Sequence, residues 1–181
     1  MKKIKNVDLM LDLETFGTNI NAVIVQIGAC YFDRYTGEIG ETFLENIDAE
    51  TSVKEGFEMD ASTVYWWMSQ NKDAIESVIK EPRNPVKKVI KAFNNFASRA
   101  VSIWSHATFD FVILMNHFRT LDIKPKFHYR TARDLRTLVD LADIKYKNQA
   151  REGIHHNALD DCIFQVEYAV KCFNKLRIDK C

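Results

Sequence analysis

The chain has 181 residues, 46% of them hydrophobic, and no Gly/Ser-rich or acidic linker divides it, so it reads as one domain over 1–181 with a sizeable core. Its 25 basic and 25 acidic residues balance, which excludes a bulk positive field, and any contact with nucleic acid must be a local patch. The opening MKKIKNVDLMLDLETF carries lysines and then an apolar run, but Asp8, Asp12 and Glu14 break it short of a signal-peptide core or a membrane span, which predicts a cytoplasmic protein without membrane contact. Four cysteines, Cys30, Cys162, Cys172 and Cys181, form no CxxC pair and read as reduced thiols. Zinc bound by them with His155 and His156 is disfavoured, because Cys162 and Cys172 share one helical pattern that suits small buried side chains.

From Val7 to Phe16 the residues alternate. Val7, Leu9, Leu11 and Leu13 take one face of a strand, and Asp8, Met10, Asp12 and Glu14 the other. Ala22 to Asp33 is a second strand, DRYTGE supplies turn residues, and Ile39 to Ile47 is a third, so the chain opens as an antiparallel meander. A helix capped by Asp60 or Ser62 is expected through about Lys80, with Val64, Trp67, Met68, Ile75 and Val78 at helical spacing. Pro85 suits the first turn of another helix, to about Arg99. Val101 to Ser105 is apolar enough for a buried strand, and a helix follows from about Phe109 to Leu121. Beyond Pro125, Phe127 to Arg130 predicts a last strand, Ala132 to Ala142 a helix, and Ala158 to about Leu176 a final helix. Its apolar stripe is Leu159, Cys162, Ile163, Val166, Val170 and Phe173. Strands first, then strands alternating with helices, predict a mixed α/β sheet covered by helices.

Three places carry candidate acids. Asp12 and Glu14 leave the same face of the first strand, roughly 6–7 Å apart along it. Two like charges at the end of a core strand raise each other's cost unless a cation compensates them, and a hard divalent cation with oxygen ligands would do so. Asp110 follows a buried strand at the start of a helix, where active-site residues of open α/β sheets gather, although a first-turn aspartate is also favoured by the helix dipole alone. The third place is GIHHNALDDC, residues 153–162, with two histidines each followed five residues later by an aspartate. Asp160 shares a helical row with Phe164, Glu167 and Lys171, a charged and wet face, whereas Asp161 shares one with Gln165, Tyr168 and Cys172. Asp161 is therefore expected to border the interior and Asp160 to be a solvated first-turn acid.

DLETFGT (Asp12 to Thr18), FD (Phe109, Asp110) and HNALDD (His156 to Asp161) resemble the three exonuclease motifs of the DEDD superfamily, the DnaQ-like 3′→5′ exonucleases. The His five residues before the last Asp resembles the DEDDh branch. Trp66 with Trp67, and RDLRT (Arg133 to Thr137), are similar to the small phage and bacterial exonucleases and exoribonucleases of that branch. One departure is that Ser105, His106, Ala107 and Thr108 stand where many members have Asn or Gly-Asn-Gly before the second motif, which bears on substrate contacts and leaves the acids intact. His106 reads there as a capping or core histidine.

The resemblance implies a ribonuclease H-like fold, a mixed sheet of three antiparallel strands followed by parallel strands, flanked by helices. It implies that Asp12, Glu14, Asp110 and Asp161 hold two divalent metal ions, Mg²⁺ or Mn²⁺, with His156 as general base toward the attacking water. The substrate would be the 3′ end of single-stranded RNA or DNA, and the products nucleoside 5′-monophosphates. By the same resemblance the Thr15 backbone and the Phe16 ring meet the terminal nucleotide, with Glu14 near its 3′-OH. Trp66, off the apolar row, is placed to stack a base, while Trp67 is core. Lys145, Lys147 and Arg151 could bind phosphates or be merely solvated. Relatives often pair, so a homodimer stays open. Two other readings compete with the exonuclease: a catalytically silent nucleic-acid-binding module of the same fold, and a phosphohydrolase acting on nucleotides or other small phosphates.

Overall fold

A computed structural model describes residues 8–146 and 151–176; Val7, Lys147 and Cys181 lie outside them. The alternating first segment forms β1 (Asp8–Thr15), and all eight of its residues are buried. Burial of both faces requires cover on both sides of the sheet. β2 (Ile24–Phe32) and β3 (Ile39–Ile47) run antiparallel in turn. Short β4 (Arg83–Asn84) pairs parallel with β3, β5 (Ser102–Ser105) pairs parallel with β1, and β6 (Ala132–Asp134) pairs parallel with β5. The described strands make one six-stranded sheet in the order β4-β3-β2-β1-β5-β6, the mixed α/β architecture expected.

The two-residue period sorts the core into two layers. Leu9, Leu11 and Leu13 pack with Ile27, Ile90, Phe93 and Leu114 on one side, and Met10 with Phe32, Trp104, Cys162, Val166 and Phe173 on the other. α4 (Val86–Phe96) and α5 (Asp110–Thr120) supply the first layer, α6 (Leu135–Ala142) and α7 (Ala158–Leu176) the second. Cys30, Cys162 and Cys172 are buried free thiols. Among the described residues no helix is long and apolar enough to cross a membrane.

Three local expectations change. The long helix over residues 60–80 is two helices, α2 (Ala61–Met68) and α3 (Lys72–Ile79). Asn71 accepts the Ala74 N–H at 2.8 Å as a new N-cap, while Ser69 Oγ and Gln70 Nε2 donate back to the Trp66 carbonyl. These local polar bonds compete with helix continuation, and Met68, expected in the core, is 70% exposed at the break. The last strand is Ala132–Asp134, and residues 129–131 form a 3-10 turn. Phe127 is apolar because it packs edge-on against Phe118 of α5. α1 (Ala49–Lys54), capped by Asp48, and β4 had no counterpart in the periodicity, since both are too short to show one.

Gly28 decides how close α7 comes to the sheet. It sits opposite Asp12 in the β1–β2 register, and a Cβ there would fall 2.2 Å from the carbonyl carbon of Ala158. The first turn of α7 therefore rests on a bare stretch of β2, held by the Ala158 N–H donating to Gln26 Oε1 at 2.7 Å.

Candidate active site

Asp12 and Glu14 project from the same face of β1, and each is only 7% exposed. Beyond Glu14 the β1–β2 register shifts, and such an irregularity ends regular pairing and re-aims side chains. Asp110 begins α5 after the turn from β5, and its carboxylate is fixed by two backbone donors, Leu13 N–H at 3.3 Å and His106 N–H at 2.9 Å. The contact to Leu13 docks it beside Asp12. α7 adds Asp161 from its first turn. Ligand oxygens of Asp12, Glu14 and Asp161 lie within 4.8 Å of one another, and so do ligand atoms of Asp12, Asp110 and His106. Asp12 belongs to these two sets, and Asp161 also groups with His155 and His156.

The acids share a high electrostatic cost. Burial pushes the Asp12 carboxyl up to about 7, against the opposing Gln165 hydrogen bond and the Arg151 charge. Glu14 is raised by burial and then by Asp12 and Asp110, while Arg151 opposes. Asp110 is raised by burial and by Asp12, against its two backbone donors and Arg136. Four convergent carboxylates supply only hard oxygen donors, which suits Mg²⁺ or Mn²⁺. The Arg151 charge acts on Asp12 and Glu14, and the grouped oxygen donors of Asp12, Glu14 and Asp161 fit a divalent ion.

His156 stands at the cleft with Nδ1 3.9 Å from Glu14 Oε1. Burial, then the His155 and Arg151 charges, pull its pKa down to about 4, so the ring is neutral at physiological pH. Its backbone is left-handed, with φ of 66°. The Ser77 hydroxyl donates to its carbonyl at 3.2 Å, and the rings of Trp66 and Trp67 meet the imidazole edge-on. Immediately after it Asn157 Oδ1 accepts the Leu159 and Asp160 N–H groups at the start of α7.

A family model of the 3′-5′ exoribonuclease Rv2179c-like domain matches residues 7–173. The chain belongs to this family. No curated protein matches it. Among solved structures, exonuclease I of Methylocaldum szegediense superposes with a TM-score of 0.68 at 14% identity, covering 96% of this chain and 41% of that one. E. coli exonuclease I in complex with a dA16 oligonucleotide gives 0.65 at 13% identity, covering 94% and 41%. At such identities the likeness is one of fold, and this Rv2179c-like chain spans about two fifths of the length of those enzymes.

In the Rv2179c-like site the twin pairs of residues 153–162 part company. Asp161 faces Asp12 and Glu14 as its helical row implied. Asp160 is half-buried instead of solvated, and its Oδ2 accepts the Ile154 N–H at 2.7 Å, tying the histidine loop to α7. His155 is exposed, with its ring 3.8 Å from that of His156. Trp66, 43% exposed, lines a cavity of about 430 Å³ with Glu14, Thr15, Thr63, Phe109 and His156. Trp67 is buried and donates Nε1–H to the Thr15 carbonyl at 2.9 Å. The Phe16 ring packs edge-to-face on Trp67 and does not line this cavity.

Periodicity missed three participants. Gln165 Nε2 donates to Asp12 Oδ1 at 2.7 Å; it sits one turn after Asp161 on the same row, so the row itself was the available signal. His106 is half-buried in the cleft wall, Nδ1 4.0 Å from Asp110 Oδ2, instead of in the core or at a cap. Arg136, in the first turn of α6, lines the same cleft.

Proposed function

We propose that this domain is a divalent-metal-dependent 3′→5′ exonuclease that releases nucleoside 5′-monophosphates from single-stranded ends. The observation that carries this reading is the convergence of Asp12, Glu14, Asp110 and Asp161, from three distant parts of the chain, beside a neutral His156. The four carboxylates would hold two divalent ions. Bound there, such ions activate a water and stabilise the leaving oxygen of an in-line phosphoryl displacement. The neutral His156 ring, 3.9 Å from Glu14 Oε1, would accept a proton from the attacking water. Gln165 keeps Asp12 oriented, and the backbone donors of Leu13 and His106 keep Asp110 oriented.

The cavity between Trp66 and Glu14 suits the terminal nucleoside, with the indole stacking the base. The family description favours RNA, while exonuclease I in complex with dA16 supports a single-stranded substrate. The deciding experiment digests matched 5′-labelled RNA and DNA oligonucleotides with Mg²⁺ or Mn²⁺, with and without EDTA. Stepwise shortening that EDTA abolishes is expected. No mononucleotide release from either polymer would refute the reading, and retained binding without turnover would favour the silent binding module.

A further inference from the structure

Three cavities lie in a row across the acid cluster. The Trp66 cavity and the acid cleft share Leu13, Glu14, Phe109 and His156. On its other side the cleft shares His106, Arg136, Tyr146 and Tyr168 with a third cavity of about 290 Å³. The Trp66 cavity and the third share no described residue, so the acids stand between them. A strand with its terminal nucleoside against Trp66 and its scissile phosphate at the acids therefore leaves on the far side, past Arg136.

Local structure fixes Arg136 at that junction. It lies in the first turn of α6, whose N-cap Asp134 accepts the Thr137 N–H at 2.9 Å and, with its other oxygen, the Ala107 N–H at 3.1 Å. The second bond ties α6 to the turn that leads into Asp110. Arg133, the other arginine of RDLRT, folds back onto the carbonyls of Arg130 and Ala132. The exposed Arg136 guanidinium joins no ion pair or hydrogen bond among the described residues, and its charge reaches Asp110. Such a planar fork matches two oxygens of a phosphate at once. Behind it the third cavity is walled by Leu135, Val139, Ile144 and the stacked rings of Tyr146 and Tyr168, apolar and aromatic surface of the kind that accepts a base. Its volume lies at the lower bound of about 300–1,000 Å³ for small-ligand pockets, room for one nucleotide. Asp140 and Asp143 line this cavity and not the acid cleft, and Asp143 Oδ2 lies 3.9 Å from Lys175 Nζ, so the end next to the cleft is the one that suits an anion.

We propose that Arg136 binds the phosphate one nucleotide upstream of the scissile bond, with that nucleotide's base in the third cavity, and so selects polymer over mononucleotide esters. The proposal rests on the reading of the acids as the site of phosphodiester hydrolysis.

The test compares wild type with Arg136→Gln on two substrates: an oligonucleotide, and the p-nitrophenyl ester of the matching nucleoside 5′-monophosphate. The ester presents the terminal nucleoside and the scissile phosphate but no upstream phosphate. The ratio of kcat/KM for oligonucleotide over ester should fall about tenfold in the variant, the low end of what one charge-assisted hydrogen bond contributes, with the loss in oligonucleotide KM. An unchanged ratio, whether both substrates suffer equally or neither does, overturns the proposal. If wild type does not turn over the ester, salt dependence decides. The slope of log KM for the oligonucleotide against log salt should be smaller in Arg136→Gln by about 0.7, the share of one phosphate contact on a single strand, and an equal slope overturns the proposal. Wild-type protein that cleaves neither substrate would instead bring down the exonuclease reading itself.

Discussion

Replacing Gly28 with alanine should separate the acid cluster from a distance. The new Cβ would lie 2.2 Å from Ala158 C, 2.4 Å from Ala158 O and 2.4 Å from Leu159 N. Carbon atoms in contact prefer about 3.5–4.0 Å. These neighbours are backbone, so no side chain can swing aside, and the first turn of α7 must withdraw by about 1.3 Å to restore a 3.5 Å contact. Overpacking of this kind costs about 1–3 kcal/mol. Withdrawal also stretches the 2.7 Å bond from Ala158 N–H to Gln26, and a buried donor left unsatisfied adds about 1–3 kcal/mol. Destabilisation of about 2–6 kcal/mol follows, which should lower Tm by at least about 4 °C. Function should suffer more than stability, because Asp161 and His156 flank that turn and a misplacement of about 1 Å can cost ~100-fold in rate. Calorimetric melting, Mn²⁺ titration and oligonucleotide cleavage on the same preparation check this. A Gly28→Ala protein with wild-type Tm, Mn²⁺ affinity and turnover would refute the argument that α7 is seated on the bare backbone of β2.

Asp161→Asn should reduce metal-dependent cleavage by at least about a hundredfold, since even residues that only orient metal ligands cost 10–100-fold. Asp160→Asn, which keeps an acceptor for the Ile154 N–H, should stay near wild type in turnover, and a reversed ranking would shift the site by one residue. In the metal-free protein Asp12 holds its proton to about pH 7 instead of the ordinary 3.8, and Glu14 and Asp110 shift the same way. The folded state therefore binds more protons than the unfolded chain above about pH 4. The resulting stability is fully present below that pH and is lost as pH rises toward 7. Tm in EDTA should fall across this window, Mg²⁺ should restore it, and a Tm in EDTA that rises there would contradict the burial argument. Trp66→Ala should raise KM for oligonucleotides, one stacked base contributing about 1–3 kcal/mol, with little change in Tm. Trp67→Ala, which loses a buried ring and the bond to Thr15, should instead cost about 3–5 kcal/mol of stability, measured by denaturant unfolding.

Local periodicity carried much of this molecule. Alternation in residues 8–15 assigns Asp12 and Glu14 to one strand face because successive side chains must point to opposite sides. The spacing of Asp161, Gln165 and Cys172 set that row toward the interior for the same kind of reason. The motif order further implied which acids belong together. Other features depend on groups that neighbour one another only in space. The helix break at Ser69–Asn71 depends on hydrogen bonds that compete with an otherwise continuous apolar pattern. Phe127 looked like strand because it is apolar, when its partner is Phe118 of α5. Asp110 gains its orientation from a backbone N–H 97 residues away. Arg151 reads in the sequence as one more charge in a loop, and only the fold brings that charge to bear on Asp12 and Glu14. Gly28, unremarkable within a strand, becomes necessary once the backbone of Ala158 arrives above it. Periodicity reports which way a side chain points. What it meets there is decided by chain segments far away in sequence, and the site is made of such meetings.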